Sequence, residues 1–268
     1  MPTVLLARHA QASFGAADYD VLSAIGVEQA AGLAGDLARR GVRIDRLISG
    51  SLARQRDTAA PIAAAAGVSA IVDPRWDEYL PDEILARHSD TDLRLEHTTG
   101  GARPGPSLAA PGTDAGPGQR IAAPGTAGPG RGVSAPVAET ELGAAPLSSR
   151  EFQDVLERAL LQWIAAGADG PAGETWPAFA ARAASALDNV LDDLGRGETA
   201  LVCTSGGVLA ALCVELLELP APTLLAFNRV AVNTGVTRVI RGRAGTRLVS
   251  FNEHAHLERD GRSLVTYR

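Results

Sequence analysis

Lysine is absent from this chain: all 25 basic residues are arginine. Any anion clamp must therefore be built from guanidinium groups, whose planar fork suits phosphate and carboxylate. Positive charge is not in excess either. The net charge of -6 argues against nucleic acid as the main partner. Cysteine is scarce. Cys203 and Cys213 have no CxxC spacing and no Cys/His cluster around them. That excludes a disulfide framework and predicts buried free thiols in a reducing, cytoplasmic setting. No metal-ligand spacing is present, so neither metal nor cofactor is expected. Long hydrophobic runs are missing as well. The longest, Leu201 to Phe227, is broken by glycine, proline and acids, so no membrane association is expected. The first residues, MPTVLLARHA, lack the basic and apolar regions of a signal peptide.

What is present is an alternation of strand and helix signals. TVLLA (Thr3–Ala7) reads as a buried strand. From Ser23, a plausible N-cap, apolar residues at 27, 30, 31, 34, 37 and 38 predict a helix closed by Gly41. DRLISG is a second strand, LARQRDTAAPIAAAAG a second helix, and AIVDP a third strand. SSREFQDVLERALLQWIAAG has capping-box spacing at Ser148 and Glu151, and a face of Phe152, Val155, Leu156, Ala159, Leu160 and Trp163. TWPAFAARAASALDNVLDDLG is a further helix, TALVC a fourth strand, and Val208 to Leu217 a helix. VTRVI and RLVSF predict a closing hairpin. The alternation implies an α/β three-layer sandwich, with a mostly parallel central sheet and helices on both faces. From about Gly100 to Pro146 the sequence is Gly/Pro-rich and nearly devoid of large apolar residues. Such a stretch cannot bury enough surface to offset its ordering entropy. Residues 1–268 are therefore expected to form one domain interrupted by a disordered insertion.

Ligands of such sheets bind beyond the C-terminal strand ends. Arg8-His9 ends the first strand; imidazole can attack phosphorus and arginine can hold phosphate. Arg54 and Arg56 fall in the first turn of the second helix, where the dipole disfavours cations unless they serve an anion. Asp77, Glu78, Asp82 and Glu83 follow the third strand, and one of them could be a general acid. CTSGG follows the fourth strand, and a glycine turn at a helix start offers N–H groups to an anion. Ser205 there could be a nucleophile, a phosphate ligand or a cap. Together the four strand ends describe a site for a phosphomonoester.

These stretches resemble the histidine phosphatase superfamily, the phosphoglycerate-mutase-like fold. LLARHAQASF is similar to its RHG motif, with Ala10 for the usual glycine. LSAIGVEQA, SGSLARQRDTA, RWDEY, GETWPAF and FNEHAHL resemble further family elements. The resemblance implies phosphomonoester hydrolysis through a phosphohistidine on His9. It makes Arg54 rather than Arg56 the second phosphate arginine beside Arg8, and Glu78 the acid. It implies that Ser205 stands in place of a second histidine, facing an open pocket, and that Ser205 and the Gly206 N–H complete the oxyanion contacts. A small-molecule phosphomonoester is the implied partner. Two alternatives stay open: a phosphoryl-binding or regulatory protein with impaired turnover, and a serine hydrolase using Ser205 with His254 or His256 as base.

Overall fold

The computed structural model describes residues 1–13, 20–88, 149–258 and 263–267. The Gly/Pro-rich insertion and Ser148, the expected cap, lie outside the described residues. Six strands form one sheet: β1 (Thr3–Arg8), β2 (Arg46–Ser49), β3 (Ala70–Val72), β4 (Thr199–Thr204), β5 (Val236–Gly242) and β6 (Gly245–Glu253). Their order is β3-β2-β4-β1-β5-β6. The first four pair in parallel; β5 and β6 add antiparallel as the expected hairpin.

Period-two burial sorts the strand residues. Val4, Leu6, Ile48, Ala200, Val202 and Val239 pack on one side, with α4 (Ser149–Ala166), α5 (Trp176–Asp193) and α6 (Gly206–Leu216). Leu5, Ala7, Leu47, Leu201, Cys203 and Val236 pack on the other, with α1 (Ala24–Arg39) and α2 (Ala53–Ala66). Both sheet faces are covered, which is why the central strands read as continuous apolar runs. Both cysteines are buried free thiols, and burial pushes each up to about 12. Among the described residues, no helix is long and apolar enough to cross a membrane.

The helices differ from expectation in three respects. In α1 the buried stripe runs through Ala30, Leu33, Ala34 and Leu37, while Val27 and Ala31 are exposed. Buried Gln29 tilts the face: its Oε1 accepts Gln11 N–H and its Nε2 donates to the Leu264 carbonyl. α6 begins at Gly206, two residues before the expected start, so both glycines are helical. Two short helices, α3 (Pro81–His88) and α7 (Leu224–Val230), carried too little periodic signal to be read.

Candidate functional site

β1 and β4 run side by side to Arg8 and Thr204, and the His9 N–H continues the ladder to the Thr204 carbonyl at 2.7 Å. His9 is thereby delivered at the strand end, and only 6% of it is exposed. Its ring has one consistent tautomer. Arg54 Nε can only donate, and lies 3.2 Å from His9 Nε2. Nε2 therefore carries the lone pair, and Nδ1 carries the proton, which it gives to the Ala10 carbonyl at 2.8 Å. Burial, then Arg8 and Arg54, hold this imidazole well below the ordinary histidine range.

Arg54 sits in the first turn of α2. Its Nη1 meets Asp20 Oδ1 at 2.7 Å, and Asp20 Oδ2 accepts the Ala53 N–H at 2.6 Å. Asp20 thus caps the helix and aims the guanidinium. Thr58 closes the same corner: its hydroxyl donates to the Arg54 carbonyl at 2.6 Å and accepts the Ala10 N–H at 2.9 Å. Arg56, one residue beyond Gln55, is exposed. Arg8 reaches the other side, its Nη1 donating to the carbonyls of Ala231 and Tyr267. A Cβ on Gly206 would lie 3.4 Å from Arg8 Nε and 2.6 Å from Asn228 Oδ1, so glycine lets the arginine and the amide close on the start of α6.

Of the four acids after β3, only Glu78 joins this cluster. Asp77 accepts from the Ser51 N–H and hydroxyl, Glu83 accepts the Gly173 N–H, and Asp82 is exposed. Glu78 Oε2 accepts the Gly207 N–H at 3.0 Å. Burial pushes its carboxyl above the usual carboxylate range, against the opposing pull of Gly207, Arg54, Tyr79 and Arg8. The next residue, Tyr79, anchors the acid, with its ring 5.7 Å from Trp163 and 5.8 Å from Phe179.

Ser205 departs from the expected open pocket: it is fully buried. It is the N-cap residue of α6 yet makes no side-chain cap hydrogen bond. Its Oγ instead accepts from Gln55 Nε2 at 2.9 Å. A nucleophilic serine needs an imidazole on Oγ, but His254 Nδ1 pairs with the Asn252 carbonyl and His256 Nε2 with Thr234 Oγ1. The geometry of a serine hydrolase is therefore not assembled. Sequence reasoning missed Asp20, Gln55 and Asn228. None left a clear signal: Gln55 stands in the polar run from Arg54 to Thr58, where nothing in the sequence marks it as buried. Among the described residues, no group of three or more His, Cys, Asp or Glu side chains could hold a metal ion.

A sequence profile described as the histidine phosphatase superfamily (branch 1) matches residues 4–82 and 136–254. No curated protein sequence matches. Among solved structures, a mutant phosphoserine phosphatase of Entamoeba histolytica in complex with phosphoserine is 16% identical, with TM-score 0.58, covering 96% of this chain and 100% of its own. YhfR of Bacillus stearothermophilus is 16% identical, with TM-score 0.58 and coverage of 96% and 99%. A mycobacterial glucosyl-3-phosphoglycerate phosphatase with VO3 is 19% identical, with TM-score 0.56 and coverage of 94% and 99%. At these identities the likeness is one of fold.

Proposed function

Because the chain belongs to branch 1 of the histidine phosphatase superfamily, we propose that it is a phosphomonoesterase acting through a phosphohistidine on His9. The observation that carries this reading is the state of the imidazole. It is neutral, its Nδ1 proton is held by Ala10, and its Nε2 lone pair lies against an arginine. A nucleophile needs that lone pair, and the arginine supplies the charge that a phosphoryl group seeks.

In the first step Nε2 attacks phosphorus in line and the P–O ester bond breaks. Arg8, Arg54 and the Gly206 N–H receive the charge of the equatorial oxygens. The leaving alkoxide takes the proton of Glu78. The raised pKa of that carboxyl supports this role, since the proton must be present at the start. In the second step water attacks phosphorus, gives its proton to Glu78, and the P–N bond breaks to release orthophosphate and neutral His9. Residues 1–268 act as one domain in this reading, with the Gly/Pro-rich stretch as an insertion.

The test is a rapid quench during turnover of a phosphomonoester. Acid-labile, base-stable phosphate is expected on His9 and absent from His9→Ala, which should keep its fold and lose turnover. An active His9→Ala protein overturns the reading. Phosphate binding without turnover in the wild type would convert it into a phosphoryl-binding protein.

A further inference from the structure

Gln55 is fully buried within the catalytic corner, and nothing in the mechanism above uses it. Its amide orientation is fixed by its neighbours. The Leu52 N–H can only donate, so the amide atom 3.2 Å from it is Oε1. The Trp76 carbonyl can only accept, so the atom 3.0 Å from it is Nε2. The second Nε2 proton then goes to Ser205 Oγ. One amide thus joins the start of α2, the segment after β3, and the end of β4. Trp76 is two residues before Glu78; its carbonyl also accepts the Thr204 hydroxyl at 2.7 Å. Ser205 immediately precedes the two glycines of α6. Arg54 has other holds, on Asp20, His9 and Thr58. The acid segment has the Gln55 amide, Thr204, Ser51, which donates its N–H and hydroxyl to Asp77, and the Arg182 guanidinium, which donates to the carbonyls of Arg75 and Asp77.

We propose that Gln55 is a positioning residue for Glu78, acting with Ser205 as a matched buried pair, and that Ser205 serves the site through this bond. The proposal rests on the reading of Glu78 as the acid. Losing the amide should therefore impair protonation of the leaving group more than phosphate binding. Both residues are fully buried, so a larger side chain at 205 needs a smaller one at 55.

The experiment compares wild type, Gln55→Met, Ser205→Ala and the double variant on an alkyl phosphate and on 4-nitrophenyl phosphate, whose leaving group needs little acid help. Gln55→Met keeps the volume and removes the hydrogen bonds. Its kcat on the alkyl ester is expected to fall about ten- to a hundredfold, with a loss of less than about threefold on the nitrophenyl ester and in KM. The double variant should be no slower than Gln55→Met, because the two residues act through one bond. Ser205→His should fold poorly alone and recover when combined with Gln55→Ala. The pKa of the Glu78 carboxyl, followed by carbon-13 NMR, makes the comparison without turnover. It should move in Gln55→Met. Equal losses on both esters, multiplied losses in the double variant, or an unmoved Glu78 pKa would overturn the inference. A wild type that hydrolyses neither ester would sink the phosphatase reading, while the NMR comparison would still decide the role of Gln55.

Discussion

Replacing Gly207 by alanine would set a Cβ 2.2 Å from Glu78 Oε1 and 2.4 Å from Tyr79 Cε1. Neither neighbour can yield freely. The Tyr79 ring is locked among Trp163 and Phe179, and the Glu78 carboxyl is held by the Gly207 N–H itself. Restoring ordinary van der Waals separation requires a displacement of about 1 Å. A misplacement of that size can cost about a hundredfold in rate, and a positioned general acid contributes about 10²–10⁴. The kcat of Gly207→Ala on an alkyl phosphate should therefore fall about a hundredfold, or about 2.7 kcal/mol of transition-state stabilisation. The assay runs the alkyl ester beside 4-nitrophenyl phosphate, with circular dichroism and thermal unfolding to verify the fold. The nitrophenyl ester should lose less than about tenfold. An alkyl-ester rate within threefold of wild type would refute the reasoning, as would equal losses on both substrates, because each would mean that Glu78 is not the proton donor.

Other outcomes follow from the same geometry. The acid limb of the kcat/KM profile should lie below pH 6.5, where burial and the two arginines hold His9 neutral; Arg8→Met should move it upward. Glu78 holds its proton more tightly folded than unfolded, so stability should fall as pH rises above 4.5 through its folded pKa. Urea titrations at several pH values should show that loss vanish in Glu78→Gln. Asp20→Ala removes the cap on Ala53 and should lower stability by about 1 kcal/mol in urea, while raising KM through a less ordered Arg54. Limited proteolysis should cut first between Gly100 and Pro146, leaving fragments that stay associated through the β4 pairings with β1 and β2. Separation of the fragments on a sizing column would count against the single-domain reading.

The strands were legible because a sheet covered on both faces needs unbroken apolar runs, as in TVLLA and TALVC. His9 was legible because it abuts such a run, whereas Arg54 was chosen over Arg56 only by resemblance. Glu78 was singled out from its neighbours only by resemblance; the structure separates them by giving Asp77 to Ser51 and Glu83 to Gly173. What sequence could not show was side-chain direction. Ser205 reads as a cap or an open-pocket ligand until its Oγ is found beneath Gln55, 150 positions earlier in the chain. Val27 reads as core because it keeps helical spacing, yet it is 59% exposed, since Gln29 takes the inward place for its hydrogen bonds. Both misreadings come from buried polar groups whose partners lie far along the chain.

The strand order has a consequence for how the molecule is made. β4 inserts between β1 and β2, so residues 199–204 fill a slot whose two walls come from the first fifty residues. On a ribosome adding about 5–20 residues per second, that slot stands open for on the order of ten seconds after β3 emerges. Through that interval two strand edges show unpaired N–H and C=O groups, a template for misassociation that chaperones would be expected to cover. His9, Arg8 and Arg54 are synthesised early, but the Gly207 N–H that holds the Glu78 carboxyl comes only after β4. Under the phosphatase reading, a chain released before Gly207 should therefore carry His9 without the group that seats Glu78, and should show no turnover.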